Sequence, residues 1–403
     1  MSDNGKLVPE IRFKGFSDAW VQRKLGEVVE FYSGLTYSPD NVIESDDGTF
    51  VLRSSNVNNG EIVNADNVYV NSNAVNCRNV EIGDVIVVVR NGSRNLIGKH
   101  AQIKNKMSNT VIGAFMTGIR SEQSELINAL LDTPQFDIEI TKNLGATINQ
   151  ITIGAFKQMT FSIPCEKAEQ TAIGKFFHTL DNLITSNQRK LDGLKELKKG
   201  YLQQMFPQAG ERVPRIRFAG FSGDWQERRL GELFTERSER SAEGELISVT
   251  INSGVIKASS LERKDNSSED KSNYKKVEIG DIAYNSMRMW QGASGVSCFT
   301  GILSPAYTVI IPNNDVCSVF FSYMFKLTKM IQVFQSSSQG LTSDTWNLKF
   351  PLLKNISVLL PCYSEQTIIG SFFQSLDKQI AVQAQKIDNL KSLKSAYLQK
   401  MFI

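Results

Sequence analysis

The chain is written twice. Residues 9–27 (PEIRFKGFSDAWVQRKLGE) return as residues 214–232 (PRIRFAGFSGDWQERRLGE). Residues 169–206 (EQTAIGKFFHTLDNLITSNQRKLDGLKELKKGYLQQMF) return as residues 365–402 (EQTIIGSFFQSLDKQIAVQAQKIDNLKSLKSAYLQKMF), with 21 of 38 positions identical. The stretches between these blocks, 28–160 and 233–357, share little. Matched ends around unmatched middles imply one scaffold built twice and carrying two different globular heads.

At 403 residues, each half is large enough to bury a core of its own. A hydrophobic fraction of 41% and a charged fraction of 22% suit a globular protein. No apolar run reaches the ~18 residues of a membrane span, and the opening MSDNGKLVPE has no signal-peptide core, so a cytoplasmic chain without membrane contact is expected. Cys77, Cys165, Cys298, Cys317 and Cys362 form no CxxC pair, and His100 and His178 are the two histidines; no metal site is expected. Cys165 and Cys362 share a repeat position, in IPC and LPC, and are expected to be small buried thiols in a reducing compartment. A net charge of +3 does not decide for or against a nucleic-acid partner, which needs clustered cations rather than a large total.

The second duplicated block carries a heptad seam. Leu180, Asn187, Leu194 and Tyr201 recur every seven residues, with Ile184, Leu191, Lys198 and Met205 between them. The later copy repeats the register with Leu376, Gln383, Leu390 and Tyr397 alternating with Ile380, Ile387, Lys394 and Met401. No proline interrupts either run, so each predicts a helix of roughly 30 residues, ~45–50 Å long. Polar residues stand at matched levels of both seams, where they cost stability but fix register and partner. The simplest packing is helix against helix; the alternative is that each helix caps only its own head. The heptads leave the direction open. An antiparallel pair is expected because the loops leaving the two helices must reach separate heads.

The heads read as strand-rich. Residues 85–89 (VIVVV) are too short for a helix and β-branched, hence a buried strand. VEIGD precedes it at 80–84 and recurs at 277–281 before Ile282, Ala283 and Tyr284, so Gly and Asp form the same tight turn in both heads. The loops after these strands differ: Arg90, Asn91, Gly92, Ser93, Arg94 in one, Asn285, Ser286, Met287, Arg288, Met289, Trp290, Gln291 in the other. A fixed frame with variable loops suits recognition. Arg bonds guanine O6 and N7 together, and Asn or Gln does the same at adenine. Lys99, Lys104 and Lys106 are placed to meet phosphates, which position without specifying. Second contact loops are expected at 145–150, with Thr147 and Gln150, and at 340–346, with Thr342 and Trp346. The same residues are also ordinary turn chemistry.

Catalytic motifs are missing. Residues 92–100 (GSRNLIGKH) have five residues between the glycines and end in His, so they are not a P-loop. There is no glycine-rich nucleotide fingerprint and no Asn-Pro-Pro or Asp-Pro-Pro run, and two unrelated histidines give a Ser-His-Asp triad little to build on.

The doubled IRFxGF…W…LGE and EQxxIGxFFxxLD segments, each copy closed by a heptad helix ending YLQxMF, resemble the specificity subunits of type I restriction–modification systems over essentially the whole chain. The expected fold is α+β: two mixed, strand-rich α/β target-recognition domains separated by two long antiparallel coiled-coil helices, with an internal pseudo-two-fold repeat. The expected divisions are 1–162 and 209–358 for the heads, and 163–208 and 359–403 for the scaffold helices. The resemblance implies a non-catalytic subunit. Each head would read half of a bipartite, asymmetric target in double-stranded DNA, and the helices would set the spacer. Two methyltransferase subunits and motor-nuclease subunits would assemble on it, and S-adenosylmethionine, ATP and Mg²⁺ would belong to those partners, with no cofactor in this chain. The alternatives are a stand-alone DNA methyltransferase or nuclease, or a protein-interaction scaffold without DNA readout.

Overall fold

The computed structural model describes residues 7–144, 149–261 and 268–403. The chain divides into two compact units, Met1–Gln188 with Gln385–Ile403, and Arg189–Ala384.

In unit one a four-stranded antiparallel sheet runs in the order Glu30–Ser33, Met116–Arg120, Val85–Val88, His100–Gln102. Every residue of Val85–Val88 is buried, which is why the sequence there is an unbroken β-branched run rather than an alternation. A second sheet orders Thr110–Ile112, Thr49–Leu52, Val68–Val70 and Val42–Ile43, its first pair parallel. The helices Ser124–Leu131 and Pro134–Asn143 cover the core. The second of these starts where Pro134 needs no amide partner and Thr133 Oγ1 accepts from Phe136 N at 3.3 Å.

Unit two builds the same four-stranded sheet from Phe234–Glu236, Tyr307–Pro312, Ile282–Asn285 and Ser294–Val296. Its accessory pairs differ: Ile247–Thr250 with Gly254–Lys257, and Lys275–Val277 with Gly301–Leu303. The middle stretches therefore share a sheet that their sequences do not announce.

The duplicated blocks are duplicated because they make the same contacts. Arg12 donates from Nε and Nη2 to the Glu169 carboxylate at 2.6 and 2.7 Å, and Arg217 does the same to Glu365 at 2.7 and 2.7 Å. Both carboxylates are buried, so each fork fixes the first block onto the helix of the second. The LGE glycines sit against a neighbouring backbone: a Cβ on Gly26 or Gly231 would fall 2.8 Å from the Cβ of Lys157 or Lys354.

The predicted helices are Lys167–Gln204 and Tyr363–Met401, longer at their N-termini than the seam alone indicated. In unit one the start of the first lies antiparallel to the end of the second: Phe176 meets Tyr397 with ring centres 5.0 Å apart, and Phe177 meets Phe402 at 5.8 Å. In unit two the repeat partners make the same contact with roles exchanged, Tyr201 against Phe372 at 5.1 Å. The seam positions Leu180, Asn187, Leu191, Met205, Leu376, Gln383, Ile387 and Met401 are buried, and Ile184, Leu194, Tyr201, Ile380, Leu390 and Tyr397 half-buried. The seam lysines meet carboxylates within each unit. Lys394 reaches Asp181 at 2.5 Å, and its repeat partner Lys198 reaches Asp377.

One expectation is corrected. Cys165 and Cys362 are exposed, not buried. The prolines before them, Pro164 and Pro361, take the buried position, and the chain then turns outward to start each long helix.

Candidate nucleic-acid interface

Each head rests its first loop on a buried acid. Gly83 and Gly280 adopt φ of +94° and +92°, which turns the chain so that Asp84 and Asp281 accept from the amides of Glu81 and Glu278 at 2.9 and 2.8 Å. Asp84 (1% exposed) is held by Arg120 Nε and Nη2, both at 2.8 Å, and by the Tyr32 hydroxyl at 2.7 Å. Burial, and then the bond to Asp84, push the Tyr32 pKa upward. Asp281 (2% exposed) is held by Arg237 Nε and Nη2 at 2.7 and 2.9 Å. The hydrogen bonds to these acids raise both guanidinium pKa values further above their ordinary range.

In head one the strand leaves this frame at Val89. Val89 N and Arg90 N donate to Phe115 O, and Ile151 N donates to Val89 O at 2.9 Å. Arg90 and Gln150 form an antiparallel bridge, so the first expected loop lies beside Asn149 and Gln150 at the end of the second. Asn91 N donates to Asn149 O, and Asn149 Nδ2 returns a bond to Gly92 O at 3.0 Å. Asn91 Oδ1 accepts from Ser93 N at 3.0 Å, while its Nδ2 donates to Ser54 Oγ at 3.1 Å. Arg90, Ser93, Arg94 and Gln150 are exposed and Lys99 is half-buried. Among the described residues none of Arg90, Arg94 and Lys99 has an ion-pair partner. The Arg90 guanidinium lies 5.0 Å from the centre of the Phe115 ring, which is 51% exposed. Lys104 stands elsewhere, paired with Glu61 and donating to Asn182 Oδ1 at 3.3 Å beside the first long helix. Thr147 lies outside the described residues.

In head two Asn285 Oδ1 accepts from Met287 N at 3.0 Å and opens the turn that carries Arg288, Trp290 and Gln291, each half-buried. Trp290 packs edge-on against Trp346 at 5.2 Å, which joins the two expected loops of this head. The second loop is closed at its base by Gln339 and Asn347, which exchange backbone bonds at 3.1 and 2.8 Å. Thr342 is exposed on it, and Thr342 N donates to Thr345 Oγ1 at 3.2 Å. Ser286 does not join this surface. It is 3% exposed and shares a hydrogen bond with Thr308 Oγ1 at 2.8 Å.

Sequence reading passed over Phe115 and Ser54, while Asn149 and Leu341 lay inside the expected second loops without being singled out. Phe115 was hidden because an aromatic residue between strands reads as core. Leu341 stands fully exposed at the tip of the second loop of head two, where turn chemistry alone gave no reason to expect an apolar side chain.

Among the described residues, no group of three or more His, Cys, Asp or Glu is placed to hold a metal ion, and no helix is long and apolar enough to cross a membrane.

The crystal structure of the S subunit of a type I restriction–modification system from M. genitalium superposes with a TM-score of 0.65 at 16% identity, covering 98% of this chain and 99% of that one. This is a likeness of fold. The specificity subunit of the type I restriction enzyme StySPI of Salmonella potsdam is 24% identical over 228 residues, covering 54% of this chain and 49% of the relative. The specificity subunit of the EcoKI enzyme of Escherichia coli is 25% identical over 193 residues, covering 46% and 41%. The chain thus spans about half the length of the curated relatives it matches. The family described as "Type I restriction modification DNA specificity domain" matches residues 17–196 and again residues 222–392, and with most of its length accounted for in two copies the chain belongs to that family.

Proposed function

We propose that this chain is the DNA-reading subunit of a type I restriction–modification complex and performs no chemistry itself. The observation that carries this is the pairing of one frame with two loop sets. Both heads hang a loop from the same turn, sheet and buried acid, yet one presents Arg90, Asn91, Ser93, Arg94 and Gln150 and the other Asn285, Arg288, Trp290, Gln291, Thr342 and Trp346. Unlike loops on a common frame suit an asymmetric, two-part target in double-stranded DNA. Lys99 and the arginines would hold phosphates and make binding salt-sensitive, while Arg, Asn and Gln side chains would read base edges. Thr147 remains a candidate contact. Ser286 leaves the set because it is buried, and Lys104 because it pairs with Glu61 away from these loops.

We take 1–162 and 209–358 as the heads and 163–208 and 359–403 as the scaffold that sets the spacer. Two methyltransferase subunits would dock on it and extrude the adenine they modify. Those subunits would carry S-adenosylmethionine, and motor-nuclease subunits would carry ATP and Mg²⁺. The assembly would work in the cytoplasm.

Exchanging residues 28–160 for an unrelated head tests this reading. Methylation mapping of a host carrying the chimaera should show one half-site replaced and the other unchanged. A motif altered in both halves, or no methylation dependent on this chain, rejects it.

A further inference from the structure

Unit two contains a cleft of about 880 Å³ that the DNA-reading loops do not use. Lys195, Lys198 and Lys199 line it from the first long helix, Arg215 from the duplicated segment, and Lys326 and Lys329 from the start of the helix Thr328–Ser337 and the loop before it. Its size is that of a small-ligand site, roughly 300–1,000 Å³. None of its lining residues is acidic.

The nearby carboxylates are already engaged. Asp377 pairs with Lys198 and accepts from the Tyr323 hydroxyl at 2.7 Å, Glu211 takes Arg215 at 3.2 Å, and Glu196 lies 3.6 Å from Lys199 in solvent. Among the described residues, Lys195, Lys326 and Lys329 have no ion-pair partner. The ammonium groups of Lys326 and Lys329 meet backbone carbonyls instead, those of Ile251 and Pro207. Partial desolvation, and for Lys326 then the charge of Lys198, hold both lysines below the usual lysine range. An anion in the cleft would relieve that strain on the charged form.

Unit one shows that the scaffold does not need this surplus. The repeat partner of Lys198 is Lys394, which is bonded to Asp132 at 2.6 Å and Asp181 at 2.5 Å. Asp132 follows the helix Ser124–Leu131 in the same connection where Lys326 follows Ser318–Met324. The position of Arg215 is Glu10 in the first copy, bonded to Lys400 at 2.6 Å. Where unit one closes its charges internally, unit two replaces two acids with cations and leaves a cavity between them.

We propose that this cleft is a phosphate-binding site for a ligand carrying two or more phosphate groups, with Lys326 and Lys329 as its main contacts and Lys195 and Arg215 at its margin. Convergent ammonium and guanidinium donors in a concave wall match that chemistry. The phosphates could come from the backbone of a DNA strand or from a free polyphosphate, and one experiment separates the two. Inorganic pyrophosphate is titrated into the full chain by calorimetry at low salt, and lysine acetylation is mapped by mass spectrometry with and without it. Saturable binding at one site is expected, with acetylation of Lys326 and Lys329 slowed at least tenfold. The double variant Lys326→Gln/Lys329→Gln should weaken binding tenfold or more, while Lys378→Gln, exposed on the second long helix, should leave it unchanged. Duplex DNA is then added. Displacement of pyrophosphate with protection of the same lysines assigns the site to the DNA backbone; simultaneous binding assigns it to a free phosphate ligand. The proposal is overturned if neither pyrophosphate nor duplex protects these lysines, or if the double variant binds pyrophosphate as the parent does. Pyrophosphate binding by a chain that ignores DNA even with the methyltransferase subunits present would uphold the cleft while removing the DNA-reading function, so the two proposals fail separately.

Discussion

Asp84 and Asp281 occupy the same turn of two heads, yet the cation that neutralises each comes from a different strand. In head one Arg120 arrives from the end of Met116–Arg120, and Tyr32 on the neighbouring strand Glu30–Ser33 adds a hydroxyl. In head two Arg237 arrives from just beyond Phe234–Glu236, the strand equivalent to Glu30–Ser33. What the fold keeps is a buried carboxylate with a bidentate partner. The position of that partner is free to move to the next strand, because either route brings a guanidinium fork to the same oxygens.

The comparison breaks most sharply when the arginine is removed. Arg237→Met leaves Asp281 buried with only a backbone amide, and losing one partner of a buried pair costs about 3–5 kcal/mol. Arg120→Met leaves Asp84 both an amide and the Tyr32 hydroxyl, so its loss should be smaller, about 1–3 kcal/mol. Hydrogen exchange resolved by unit, across a urea series, measures both. Equal losses would mean that Tyr32 does not share the charge of Asp84.

The loops should divide in function as they divide in chemistry. Arg90→Ala is expected to cost about 1–3 kcal/mol in binding to one half-site. Trp346→Ala should act on the other half only, through loss of its contact with Trp290. Competition binding with duplexes scrambled in one half, in the presence of the methyltransferase subunits, reads this out. If Arg90→Ala weakens every duplex alike, its guanidinium holds a phosphate rather than a base.

Much of the frame was legible because repetition is a physical statement. Two copies of an IRF arginine and an EQ glutamate imply a contact worth making twice, and each copy forms the same buried fork. The heptads located the seam for the same reason. The shared sheet of the heads was not legible beyond VIVVV and VEIGD, since a strand of four residues is set by what packs on it, and those residues differ between heads. The interface residues were legible by class but not by placement. Ser286 and Asn285 are adjacent polar residues in one loop, and only the fold turns Ser286 inward to Thr308 while leaving Asn285 to open the turn. Cys165 failed for a related reason: its neighbour Pro164 claims the buried position.

The smallest effect concerns the seam lysines and is specific to unit one. Lys198 in unit two faces Asp377, with Tyr323 as the second partner of that acid. Lys394 faces Asp181 and Asp132, and Asp132 also receives His100 Nε2 at 3.4 Å, with His100 Nδ1 3.0 Å from Gly98 O. Burial alone would lower the His100 pKa, but the hydrogen bond and charge of Asp132 outweigh it and raise the value. Burial would likewise raise Asp132, but His100 and Lys394 draw it down to about 2. The signs then follow. The His100 contribution is complete below its unfolded value of ~6.5 and is lost as pH rises through the raised folded value. The Asp132 contribution is complete above ~4 and is lost as pH falls toward about 2. Unit one should therefore be most stable between roughly pH 4 and 6.5 and weaken slightly toward pH 8, while unit two, which holds no histidine, should not follow it. His100→Gln should flatten the alkaline side in unit one and also shrink the acid side, since His100 is the larger of the two groups that draw Asp132 down and only Lys394 remains. Unit-resolved hydrogen exchange at pH 6 and pH 8, corrected for intrinsic rates, compares the two units within one sample. A parallel pH response in both units would place the titrating group outside the His100–Asp132–Lys394 contact.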